Sequence, residues 1–130
     1  MLSDEIRAGQ KTVLIIEDEE MIILSTQMLL ESVGYRVEAA QNGEEGIRKA
    51  AEIDPDLILL DVMMPGLDGW ETLGLLKRRP ETEGIPVVVF TAREHAHGQN
   101  KSRELGATAY FRKPFEPDDL IELVARSIRS

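Results

Sequence analysis

Short apolar runs alternate with longer amphipathic stretches along almost the whole chain. Residues 12–16 form the first run, and 35–40 a second, partly alternating one. Residues 57–60 are apolar throughout, the pattern of a strand buried on both faces. Residues 87–90 are mostly β-branched, which suits a strand, and 109–111 make a last short run. Between these lie helix-like segments at 20–32, 43–53, 70–79, 99–105 and 117–128. Gly34 and Gly106 stand where two of the helices should stop, and Asp54-Pro55 closes another. Pro117 suits the first turn of the last helix. Strand-helix alternation repeated five times, with no linker, predicts an α/β fold. Its form is an open, doubly wound parallel sheet with helices on both faces.

Composition narrows the class. The chain has 130 residues, enough for one domain with a real core. No apolar run reaches the roughly 18 residues of a membrane span, so no membrane partner is expected. Residues 1–10 carry Asp4 and Glu5 and lack the apolar centre of a signal peptide. They are expected to be a flexible N-terminus, with a single domain over 11–130. The last helix runs to the end of the sequence, leaving no room within it for a second domain. There is no cysteine, which excludes disulfides and cysteine-zinc sites and fits a cytoplasmic location. The net charge of −9 disfavours direct binding to nucleic acid and favours a cation in an acidic pocket.

Candidate chemistry gathers at the strand ends. Asp61 closes the third run and is followed by Val62, Met63, Met64, Pro65 and Gly66. The first run leads into Glu17-Asp18, the fourth into Thr91 and the fifth towards Lys113-Pro114. Strands of a parallel sheet share one C-terminal edge, and ligands bind there. Three carboxylates, a hydroxyl and an ammonium should therefore meet. Carboxylates that close repel one another until a proton or a cation intervenes. An all-oxygen donor set with room for water and phosphate oxygen suits Mg2+. The absence of His and Cys argues against zinc. Glu19 and Glu20 are read as acids favoured by a helix N-terminus.

Glu17-Asp18, Asp61 with Met63-Met64-Pro65-Gly66 and Asp68-Gly69, Thr91-Ala92, and Lys113-Pro114-Phe115 follow in order along residues 11–129. In these blocks the chain resembles the receiver domain of two-component response regulators. The resemblance implies a flavodoxin-like (βα)5 sandwich with strand order 2-1-3-4-5. It implies that Asp61 is a phosphoacceptor served by a sensor histidine kinase or a histidine phosphotransfer protein. Mg2+, replaceable by Mn2+, would be held by Asp18 directly, by Glu17 mainly through water, by Asp61 and by the Met63 backbone carbonyl. Lys113 and Thr91 would contact the phosphoryl oxygens, and the Lys113-Pro114 bond would be cis. Tyr110 would rotate inward on activation, changing the face read by an output domain or a target protein. Such a domain catalyses its own phosphorylation and dephosphorylation and is not an enzyme on outside substrates.

Other functions fit these residues less well. A pseudo-receiver, a binding module that never takes phosphate, is opposed by the complete set Glu17, Asp18, Asp61, Thr91 and Lys113. A flavin protein of similar fold would need a hydroxyl- and glycine-rich loop where Glu17-Asp18-Glu19-Glu20 stands. An aspartyl phosphatase would need a second Asp where Met63 stands. Met63 and Arg93 should shape water access to an acyl phosphate. Ala109 stands where one dimerising subclass of the family often carries an acid, which disfavours that dimer. Met21, Ile22, Ile23 and Leu24 are consecutive in a helix, so at least one should face solvent; in the family this helix docks on the kinase. His95 and His97 are read as solvated rather than metal-binding, and Trp70 as a packing residue.

Overall fold

The computed structural model describes residues 9–62, 69–91, 98–112 and 115–129. Strands and helices alternate as β1 (Thr12–Ile16), α1 (Glu20–Ser32), β2 (Arg36–Ala40), α2 (Gly43–Ile53) and β3 (Leu57–Asp61). They continue as α3 (Gly69–Arg78), β4 (Val87–Thr91), α4 (Gly98–Glu104), β5 (Ala109–Arg112) and α5 (Pro117–Ser127). The strands form one parallel sheet of order β2-β1-β3-β4-β5. The boundaries differ by a residue or so from the sequence reading. Asp61 and Thr91 are the last residues of their strands, and α3 and α4 each begin one residue earlier, at a glycine.

Period-two alternation sorts the inner strands into two cores. Leu14, Ile16, Ile58, Leu60, Val87 and Val89 face one side, against Ile47 and Ala50 of α2 and Leu73 and Leu76 of α3. Val13, Ile15, Leu57, Leu59, Val88 and Phe90 face the other, against α1 and α5 through Ile23, Leu30, Leu120, Leu123 and Val124. Every residue of β3 and β4 is buried, which is why these runs carry no polar alternation. Each fully buried aliphatic side chain contributes about 1.5–3 kcal/mol. Truncating a central one such as Leu59 to Ala should cost about 2–5 kcal/mol.

Local chemistry sets the ends of the helices. The Asn42 side chain caps α2 by accepting from the Glu45 amide at 2.8 Å, and Glu45 accepts from the Gln41 amide at 3.3 Å. α1 stops at Gly34, whose φ of 102° is left-handed. Asp54 ends α2 at φ 46°, unusual for a residue with a Cβ.

A clasp holds that turn. Arg129 donates from Nη2 to the Asp54 carboxylate and the Pro55 carbonyl, both at 3.2 Å. Its backbone amide reaches the Asp56 carbonyl at 3.0 Å. Asp56 in turn accepts from the Thr12 amide at 2.9 Å. The chain after α5 is thus pinned beneath the N-terminal edge of the sheet, beside the starts of β1 and β3. Of the N-terminus read as flexible, residues 1–8 lie outside the described part, and Gln10 donates to the Gly34 carbonyl at 3.1 Å.

Candidate functional site

Strand register builds an acidic cluster at the opposite edge. Ile16 pairs with Leu60, so Glu17 and Asp61, each one residue further on, stand level on adjacent strands. They continue the rows Val13–Ile15 and Leu57–Leu59 on one face of the sheet. Glu17 also extends the ladder by donating its amide to the Ala40 carbonyl at 3.0 Å. Glu17 is 0 % and Asp61 4 % exposed, while Asp18 is the most open of the three. One carboxylate oxygen from each of Glu17, Asp18 and Asp61 lies within 4.8 Å of the others.

The Glu17 carboxylate is steered by its own loop. Its Oε2 accepts from the Asp18 amide at 3.0 Å and the Glu19 amide at 3.5 Å. This local bond was not legible in the sequence, because any acid in that place could have pointed to solvent. Two buried carboxylates beside a third carry a large desolvation and repulsion cost unless positive charge offsets it. The donors are all oxygen, so the group fits a hard divalent cation such as Mg2+.

The other predicted site residues fall into two sets. Thr91 is fully buried at the end of β4, one residue beyond Phe90, the register partner of Asp61. Tyr110 is half-buried on β5 and pairs with Val89. Thr91 lies two residues after Val89, so it shares a sheet face with Tyr110. Both have interactions with their surroundings. Met63, Lys113, Pro114, Arg93, His95 and His97 lie outside the described residues. A larger open cleft of about 630 Å³ lies elsewhere, between α2 and α3, lined by Ile47, Ala51 and Leu75 with Arg48 and Arg79 among its charged rim. It contains none of the acidic cluster, and the carboxylate chemistry outweighs its size.

On α1, Met21 is 75 %, Leu24 48 % and Met28 70 % exposed, whereas Ile23 is buried. The exposed three follow i, i+3, i+7 spacing and form one stripe. Trp70 packs against the α2–α3 side of the core, as expected. Its ring also carries the Lys101 ammonium at 5.2 Å, which the sequence did not reveal. Among the described residues no helix is long and apolar enough to cross a membrane.

Comparison with known proteins agrees with this geometry. The family model described as "Response regulator receiver domain" matches residues 13–125. The alkaline phosphatase synthesis transcriptional regulatory protein PhoP of Bacillus subtilis is 39% identical over 92% of this chain and 49% of its own length. The chain spans about half the length of the transcriptional regulators it matches. Among solved structures, the chemotaxis protein CheY4 of Vibrio cholerae superposes with a TM-score of 0.86 at 28% identity, covering 92% of this chain and 99% of that one. The receiver domain of the sensor histidine kinase PA1611 of Pseudomonas aeruginosa, with a magnesium ion in its active-site cleft, has a TM-score of 0.83 at 25% identity, covering 92% of this chain and 98% of its own.

Proposed function

Because the chain belongs to the response regulator receiver domain family, we propose that Asp61 accepts a phosphoryl group and that this charge switches the α4–β5 side of the domain. The donor is the phosphohistidine of a sensor histidine kinase or a histidine phosphotransfer protein. An Asp61 carboxylate oxygen attacks phosphorus, the P–N bond breaks, and the imidazole nitrogen keeps the electron pair. The observation that carries the reading is the level placement of buried Asp61 beside Glu17, with Asp18 within 4.8 Å of both.

Glu17, Asp18, Asp61 and the Met63 carbonyl would hold Mg2+, for which Mn2+ is expected to substitute. When bound, the ion supplies the charge neutralisation that phosphoryl transfer needs. The chain's own residues do the rest. Glu17, held by the amides of its loop, orients the acidic cradle. Lys113 pairs with phosphoryl oxygen as a fixed positive charge. Thr91 donates its hydroxyl to the new group, and Tyr110, on the same sheet face, responds to that movement. Water later hydrolyses the acyl phosphate at the same site. The domain is a switch and processes no outside substrate.

The exposed Met21–Leu24–Met28 stripe is the surface for the phosphodonor protein. The output is a further domain or a separate target, and this domain itself works in the cytoplasm without contacting nucleic acid or membrane. Incubation with Mg2+ and a small phosphodonor tests the central claim. The wild-type protein should gain the mass of one phosphoryl group and Asp61→Asn should not. No gain in the wild type, together with no spectral response to beryllofluoride, would establish the pseudo-receiver reading instead.

A further inference from the structure

The peptide unit between Ala40 and Gln41, at the end of β2, is held on both sides. Its carbonyl, that of Ala40, accepts from the Glu17 amide at 3.0 Å. Its N–H, that of Gln41, donates to the Glu45 carboxylate at 3.3 Å. A trans peptide is planar, with its carbonyl and N–H pointing opposite ways. One rigid plate therefore spans the gap between a side chain of α2 and the main chain of Glu17. The Glu45 carboxylate is fixed in turn. Lys49 pairs with it at 3.5 Å and donates from Nζ to the Ala39 carbonyl at 2.5 Å. Residues four apart share one face of a helix, so both side chains reach the same strand end.

These contacts lead into the acidic cradle. Glu17 is fully buried, and its Oε2 is held by the Asp18 amide at 3.0 Å. One of its carboxylate oxygens lies within 4.8 Å of one from each of Asp18 and Asp61. Where the Glu17 main chain stands therefore sets where this carboxylate stands. Helix α2 also fits closely against the residue before it, since a Cβ on Gly46 would collide with the Ile16 side chain. Hydrogen bonds in series polarise one another. A carboxylate on the Gln41 N–H makes the Ala40 carbonyl a stronger acceptor for Glu17.

We propose that Glu45 is a positioning residue for the metal cradle. It acts through the main chain and is not a ligand. Glu45 fixes the 40–41 peptide, the peptide fixes the Glu17 main chain, and Glu17 presents its carboxylate beside Asp61. Lys49 keeps Glu45 turned towards the strand end. Outer partners of metal ligands set affinity by orienting them in this way. Without the Glu45 carboxylate, the Gln41 amide turns to water and the end of β1 loosens. Glu44 carries the same charge in the same first turn but is exposed, and it serves as the control. The hold on Glu17 stands on the bonds above; its bearing on Mg2+ rests on the proposed role of Glu17, Asp18 and Asp61.

Amide exchange by NMR on the whole chain tests the hold on Glu17 without any metal. In Glu45→Ala the Glu17 amide should exchange about two- to tenfold faster, the factor one hydrogen bond supports. Calorimetry with Mg2+ tests the consequence. The dissociation constant should rise about tenfold in Glu45→Ala, the lower end of what losing an outer partner costs. Labelling by a small phosphodonor at saturating Mg2+ should keep the wild-type rate. Glu45→Gln, which retains an acceptor oxygen, should restore both exchange and affinity. Glu44→Ala should match the wild type. Asn42→Ala, which removes the cap on the Glu45 amide, should lower the urea midpoint at least as far as Glu45→Ala yet weaken Mg2+ less. Wild-type exchange at Glu17 in Glu45→Ala, or equal weakening of Mg2+ in Glu44→Ala or Asn42→Ala, would overturn the proposal. Faster exchange with an unchanged Mg2+ constant would refute the role in metal binding. A wild type that binds no Mg2+ would refute the metal reading itself, while exchange at Glu17 still decides whether Glu45 holds it.

Discussion

Gly69 stands against the main chain of Val62: a Cβ added to it would collide with the Val62 Cα and lie 2.6 Å from its carbonyl oxygen. This contact brings the start of α3 back to the residue after Asp61 and so fixes where that carboxylate stands. Gly69→Ala must push backbone apart, whereas Gly46→Ala meets only the Ile16 side chain. Overpacking of this kind costs about 1–3 kcal/mol or more. Gly69→Ala should therefore lower the urea midpoint more than Gly46→Ala, and should slow phosphorylation by a small donor in whatever fraction folds.

Replacing Asp61 by Asn removes one of three clustered negative charges without changing its size. The variant should fold, with a thermal midpoint in metal-free buffer no lower than that of the wild type. It should gain no phosphoryl mass. A large loss of stability would show that the Asp61 carboxylate holds the structure together and is not reserved for chemistry.

Divalent metal should stabilise the fold by mass action. At a hundredfold excess over its dissociation constant, Mg2+ should add about 2.7 kcal/mol, read from urea unfolding with and without a chelator. Asp18→Asn should lose most of that gain. Calorimetry would show the same result as a weakened binding isotherm, and an undiminished one would remove Asp18 from the ligand set.

Lys77 provides a pH test away from the site. Burial lowers its pKa from the ordinary 10.5, with Glu83 opposing. Below the lowered value both folded and unfolded chains hold the proton, and the cost of burying charge is fully present. Between that value and 10.5 only the unfolded chain holds it, so stability rises with pH. Wild type should gain on Lys77→Met as pH climbs towards 10.5 in paired unfolding curves. A constant difference would mean that the ammonium is fully hydrated.

The α1 stripe should matter for a protein donor and not for a small one. Met21→Ser and Leu24→Ser change exposed side chains, so stability should stay within about 0.5 kcal/mol. Phosphotransfer from a histidine kinase or phosphotransfer protein should fall about tenfold, the loss of roughly 1.4 kcal/mol of docking energy. Labelling by a small phosphodonor should be unaffected.

Much of this was legible in the residue pattern. The apolar runs marked every strand of the sheet, because β1, β3 and β4 are buried on both faces and leave no room for polar residues. Asp61 announced itself as a carboxylate closing such a run. The strand order came from the resemblance, since periodicity does not say which strands are neighbours. What stayed hidden depends on side-chain direction or on closeness through space. The bond from the Asp18 amide to Glu17, the Trp70–Lys101 pair and the Arg129 clasp each join residues whose pairing has no periodic signature. The exposure of Met21 and Leu24 lies between these cases. Four apolar residues in a row forced some of them outward, and only the packing of Ile23 on the sheet chose which.

The Arg129 clasp gives the molecule a front and a back. Carboxylates crowd one rim, and the tail is buttoned to the other, a full strand length away. A cargo, tag or surface linker joined at the tail would trail behind the domain. A donor could then approach the front unhindered, and immobilising the protein by that end should leave its chemistry intact.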